Sequence, residues 1–212
     1  MVMAVTGQVL VLFIIVHAAG NSTFYFGGLN AYADKLHSLA ALVWANRLVL
    51  LAVFSVHIFF GISLTLENRA AKPETYAVKQ SLCATFASRN MIWTGLVTGA
   101  FLLYHLLHFT FQVTHPETAA SVHMAASGRP DVSGMLIAGF QDVLVSAVYI
   151  ASLGALLLHM SHGIQSSFQS LGLNSEHTMP LIQRAGNVLA YIIFIAFISI
   201  PFVIVIGLMK GK

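Results

Sequence analysis

The chain has 212 residues, of which 58% are hydrophobic and 8% charged, with a formal net charge of +3. Ordinary globular domains carry roughly 25% charged residues, so this composition excludes a soluble enzyme, a nucleic-acid binder and a disordered segment. A single cysteine, Cys83, leaves no material for an internal disulfide, a thiolate cluster or a covalently attached c-type haem.

Stretches of about 18 or more apolar residues predict an all-α, membrane-embedded bundle of five helices, read as one domain over 1–212. The first span, 3–20, has the look of a signal-peptide core, with Ala18-Ala19 as a mock cleavage site. No basic residue precedes it and His17 lies inside it, so it reads as a span. A connection over 21–38 follows, with Asp34 and His37. The second span, 39–66, holds Asn46, Arg47 and His57. It exceeds the ~20 residues a bilayer needs, which predicts tilt or helix beyond the membrane.

The loop 67–89 contains Arg69, Lys72, Lys79 and Arg89, four of the ten Lys and Arg residues, with Pro73 to break the helix. Its excess of positive charge places it in the cytoplasm, against the weaker pull of Lys35, Arg129, Lys210 and Lys212. The N-terminus is then inside and the C-terminus outside. The third span, 90–113, carries His105 and His108, and the outer connection 114–134 carries His115 and His123. The fourth, 135–165, is opened by Gln141 and Asp142 and holds His159 and His162. A second inner loop, 166–180, with His177, leads to the fifth span, 181–209, near whose start stands Arg184. No long repeat or low-complexity tract is expected to interrupt the spans.

Histidine is the surplus: ten, against ten Lys and Arg and seven Asp and Glu. Ionisable groups inside a bilayer are costly and mark function by default, and four of the five spans carry histidine. Measured from the 67–89 side at about 1.5 Å per residue, His57 lies ~15 Å in and His159 roughly 10 Å in. His105 lies about 22 Å in, and His17 sits at similar depth. Two facing histidines at one depth can hold a flat macrocycle from both faces, which points to b-type haem with two axial imidazoles. Zinc would require further Cys, Asp or Glu ligands, and none lies at these depths.

His57-Ile58-Phe59-Phe60-Gly61-Ile62 and His159-Met160-Ser161-His162-Gly163-Ile164 share the pattern His-x-x-x-Gly-Ile. A glycine at i+4 lies beside its histidine and leaves room for a porphyrin edge. The pattern favours His159 over His162 as ligand. The second ring nitrogen of each histidine needs an acceptor, which the helix can supply from the carbonyl of Phe13, Val53, Phe101 or Ala155.

Several runs carry a resemblance: Leu64-Thr65-Leu66-Glu67-Asn68-Arg69-Ala70-Ala71-Lys72-Pro73, Tyr104-His105-Leu106-Leu107-His108-Phe109, and Gly163-Ile164-Gln165-Ser166-Ser167-Phe168-Gln169-Ser170-Leu171-Gly172. Over essentially its whole length the chain resembles the five-helix, two-haem cytochrome b subunit of succinate:quinone oxidoreductases, the anchor of succinate dehydrogenase and fumarate reductase. The resemblance implies that His17 and His105 hold a distal haem, and His57 and His159 a proximal one. His108 and His162 are the fallback ligands. Some fumarate reductases of this type carry a glutamate two residues before the fourth ligand; here that position is Leu157, which puts a proton route through such a carboxylate in doubt.

With both axial sites filled, such haems pass electrons and bind no substrate. The resemblance implies a bacterial cytoplasmic membrane, menaquinone as the lipid quinone, and cytoplasmic partners comprising an iron–sulfur subunit and an FAD-bearing flavoprotein, with a dimer of the heterotrimer conceivable. Arg47 is expected on a distal propionate, with membrane snorkelling its competitor; Ser88, Arg89 and Arg184 are weaker propionate candidates. The loop from Arg69 to Lys79 is expected to dock the iron–sulfur subunit or meet lipid headgroups. The quinone site is expected at the outer polar cluster of Asp34, His37, Asn46, Arg47, Gln141 and Asp142. Two alternatives stay open: a di-haem cytochrome b of a hydrogenase or formate dehydrogenase, and a histidine-lined metal or proton transporter.

Overall fold

The computed structural model describes residues 1–71, 84–120 and 128–209. Lys72, Pro73, Lys79, Cys83, His123, Lys210 and Lys212 lie outside the described residues, so the connection 67–89 is described only at its ends.

The described residues are helical throughout their regular structure. Helix α1 spans Val2–Ser22, α2 Leu29–Ser38, α3 Ala40–Ala70, α4 Phe86–Arg89, α5 Met91–His105, α6 Val132–Gln141, α7 Val143–Ser170 and α8 Met179–Val205. A 3-10 turn at Thr23–Phe26 extends α1, and a π turn at Leu106–Thr110 extends α5. With these extensions, five helices are long and apolar enough to cross a membrane: Val2–Phe26, Ala40–Ala70, Met91–Thr110, Val143–Ser170 and Met179–Val205. Helix α3 buries no residue within the protein and exposes Leu42, Trp44, Leu48, Leu51 and Phe59. A patch of that extent is untenable in water. The architecture is that of a multi-pass membrane protein.

Three boundaries differ from the sequence reading. The fourth apolar stretch is two helices, because Asp142 leaves the helical region (φ −70°, ψ 114°). Its carboxylate accepts from the backbone N–H of Leu144 at 2.7 Å and Val145 at 3.1 Å, so it caps α7. Hydropathy alone runs unbroken through such a site. The connection 21–38 is largely helical, with Asn30 on α2 tied to Asp131 and to the backbone of Ser133 at the start of α6. The third span ends at Thr110, after which Gln112 takes a left-handed conformation (φ 55°).

Helices α1, α3, α5 and α7 form a four-helix arrangement. Neighbours are α1 with α3, α1 with α7, α5 with α7 and, more loosely, α3 with α5. The diagonals, α1 with α5 and α3 with α7, do not pack along one another. Helix α8 lies outside this set, against α7, sealed by Met160, Ile164, Ala190 and Ile193. A second apolar cluster of Phe24, Leu29, Leu136, Phe140, Val145, Tyr149, Ile200 and Ile204 closes the opposite end. The Gln8 amide donates to the Ser167 hydroxyl and ties α1 to α7.

Candidate functional site

The diagonals are where the histidines meet. His17 on α1 faces His105 on α5 with ring centres 5.9 Å apart and planes at 83°. His57 on α3 faces His159 on α7 with ring centres 6.3 Å apart and planes at 77°. Metal–imidazole bonds of about 2.0–2.1 Å, with about 1.1 Å from nitrogen to ring centre, put two imidazoles sharing one metal roughly 6.3 Å apart, centre to centre. The two separations lie near that value and also within the ordinary range of about 4.5–7 Å for neighbouring aromatic rings. Among the described residues no three His, Cys, Asp or Glu side chains gather into a metal cage. The histidines come in twos.

The neighbours of the two pairs differ. Around His17 and His105 stand aromatic rings: Phe13 stacks on His17 at 5.5 Å, Phe197 tilts against it at 5.7 Å, and Phe101 and Tyr149 approach His105 at 6.0 and 6.1 Å. At the other level, the Thr6 hydroxyl stands 3.0 Å from Nδ1 of His57, and the Thr94 hydroxyl 3.4 Å from Nδ1 of His159. Each threonine precedes a glycine that lies against the same ring. A Cβ on Gly7 would stand 3.4 Å from His57 Cε1, and one on Gly95 3.1 Å from His159 Cε1. The side-chain hydrogen-bond partner of His57 and of His159 is thus a threonine on the neighbouring helix. Gly61 and Gly163, expected to clear space beside the rings, instead face the methyl ends of Met3 and Met91.

These residues carry a signal that the sequence reading missed. Residues 3–17 and 91–105 share Met-x-x-Thr-Gly-x-Val-x-x-x-Phe-x-x-x-His: Met3, Thr6, Gly7, Val9, Phe13 and His17 match Met91, Thr94, Gly95, Val97, Phe101 and His105. Together with the shared His-x-x-x-Gly-Ile of α3 and α7, the α1–α3 and α5–α7 hairpins are two versions of one unit. The eleven residues from threonine to histidine are about three turns of 3.6 residues and so share a face, with a rise of about 16.5 Å. That separates the two histidine levels.

The remaining candidates fall elsewhere. His108 is buried, 2% exposed, and turned to α7, where its Nδ1 lies 3.0 Å from the Tyr149 hydroxyl. His162 is half-buried on α7, three residues beyond His159. Arg47 is exposed, its guanidinium 5.1 Å over the Trp44 ring. Ser88 donates to the Thr85 carbonyl at 2.9 Å, and Arg89 and Arg184 are exposed. Leu157 packs toward α8. Of the outer polar cluster, Asp34 pairs with Arg129 at 2.9 Å and Asp142 caps α7. His37, Asn46 and Gln141 are exposed.

No family model, curated protein or solved structure matches the chain.

Proposed function

We propose that the chain is the membrane anchor and electron-transfer subunit of a succinate:quinone oxidoreductase, a succinate dehydrogenase or quinol:fumarate reductase. In this reading His57 and His159 hold one b haem, and His17 and His105 hold a second. The observation that carries it is the meeting of two imidazole pairs, each across a diagonal of the bundle, with ring centres 5.9 and 6.3 Å apart. Along the diagonals the helices do not pack on one another, and it is the histidine rings that meet there. A b haem held by either pair of histidines would supply reversible one-electron chemistry.

The chain's own residues then bind, orient and exclude water. Four histidines supply the ligands. Phe13, Phe101, Phe197 and Tyr149 shield the pair at His17 and His105, and Gly7 and Gly95 let the rings of His57 and His159 lie close to α1 and α5. Dicarboxylate chemistry belongs to the flavoprotein partner and its FAD, with the iron–sulfur subunit between, on the side where α3 ends and α4 begins. The membrane is then the bacterial cytoplasmic membrane, with the N-terminus inside.

The lipid quinone, menaquinone by the same reading, meets the chain at the outer polar cluster. Two of its members are otherwise engaged, Asp34 with Arg129 and Asp142 with the α7 amides. His37 is the remaining proton-accepting side chain there, and quinol oxidation needs such a group. The test is purification from native membranes with identification of the subunits that come along. A flavoprotein with an iron–sulfur protein and succinate-oxidising activity supports the reading. Hydrogenase or formate dehydrogenase subunits in their place overturn it.

A further inference from the structure

We infer that Thr6 and Thr94 are positioning residues that fix the tautomer of His57 and His159, keeping the proton on Nδ1 and leaving Nε2 as the metal-binding nitrogen. The inference rests on the reading of these histidines as axial ligands and deepens it.

The Thr6 hydroxyl lies 2.9 Å from the carbonyl of Val2 and 3.2 Å from that of Met3. Carbonyls only accept, and a hydroxyl has one proton. With that proton given to the helix, the usual choice of a back-bonding threonine, the lone pairs of Thr6 Oγ1 face His57 Nδ1 at 3.0 Å and the imidazole donates. A neutral imidazole carries one N–H. With Nδ1 protonated, Nε2 holds the lone pair that a metal needs.

The second half repeats the arrangement. Thr94 Oγ1 lies 3.1 Å from the carbonyls of Asn90 and Met91, and 3.4 Å from His159 Nδ1.

Back-bonding of threonine to its own helix is common and proves nothing alone. What separates this case is recurrence. The same residue, one position before a glycine that admits the ring, faces the same nitrogen in both hairpins. Metal-bound histidines characteristically donate their other N–H to such a partner, which orients the ring and raises its basicity. His17 has the Asn21 side-chain amide 3.4 Å from its ring nitrogens and His105 has aromatic neighbours; neither has a threonine in this role among the described residues. The effect is therefore confined to one level of the bundle.

The experiment uses the whole complex, with Thr6→Val and Thr94→Val set against Thr6→Ser and Thr94→Ser. Thr6→Ala and Thr94→Ala replace any valine variant that does not assemble. The readouts are the midpoint potential of each haem by redox titration and haem retention against an apoprotein scavenger. Loss of the acceptor weakens electron donation by the ring, so the proximal potential rises and retention of that haem falls by roughly 10–100-fold. The distal haem is unmoved, and serine restores both values. An unchanged proximal potential in the hydroxyl-free variants, or a serine variant that behaves like valine, overturns the inference. A wild-type complex with no haem overturns the underlying reading instead.

Discussion

The Nδ1 of His108 stands 3.0 Å from the Tyr149 hydroxyl, buried between α5 and α7. One turn earlier on the same helix, His105 faces α1 instead. Between them the helix widens to a π turn, with Phe111 N–H bonding the Leu106 carbonyl at 2.7 Å, a feature common at functional sites. His108 Nε2 is a buried polar atom with no partner among the described residues. Tyr149→Phe would strip the ring of its remaining bond. The expected cost is about 1–3 kcal/mol, read as a lower midpoint of thermal unfolding in detergent. Both haem spectra should persist, since this histidine holds no iron in the present account.

Replacement of the axial histidines should fail in pairs. His57→Ala and His159→Ala should each remove the same low-spin haem spectrum, and His17→Ala and His105→Ala should each remove the other. His162→Ala should keep both. Loss of a haem in His162→Ala with both retained in His159→Ala would reassign the α7 ligand.

The two ring-facing glycines should respond unequally to one methyl group. At Gly7 the added Cβ meets His57 at 3.4 Å, ordinary contact; at Gly95 it meets His159 at 3.1 Å, where the ring must yield. Alanine also favours the helix by about 0.8–1.0 kcal/mol over glycine. Gly7→Ala should therefore stabilise the protein with its spectra unchanged. Gly95→Ala should alter the proximal low-spin signal in electron paramagnetic resonance.

At the outer side, capping and proton transfer should separate. Asp142→Ala removes the α7 cap and should cost about 0.5–2 kcal/mol, measured by thermal unfolding. His37→Ala should leave stability alone and slow quinol oxidation by the complex. Full quinol oxidation in His37→Ala would remove that residue from the proton path.

Much of this was legible in the sequence, because membrane spans are set by length and hydropathy and helical rise converts residue numbers to depth. That arithmetic paired His17 with His105 and His57 with His159, as the rings are found. The break at Asp142 was not legible from hydropathy: one capping carboxylate interrupts an apolar run without lowering its average. Helix α2 was hidden by its polar composition, since what holds it is Asn30 bonded to α6. Thr6 and Thr94 escaped notice because single hydroxyls in a span look like ordinary back-bonding residues. Only comparison of 3–17 with 91–105 singles them out.

The central claim is that the two facing histidine pairs hold two haems. Its most direct test is the pyridine haemochrome assay with the reduced-minus-oxidised absorption spectrum of the purified protein. The account predicts a b-type spectrum and two haems per chain, falling to one in His57→Ala. A purified, folded chain with no Soret band, or with a haem count that does not change in that variant, would contradict it.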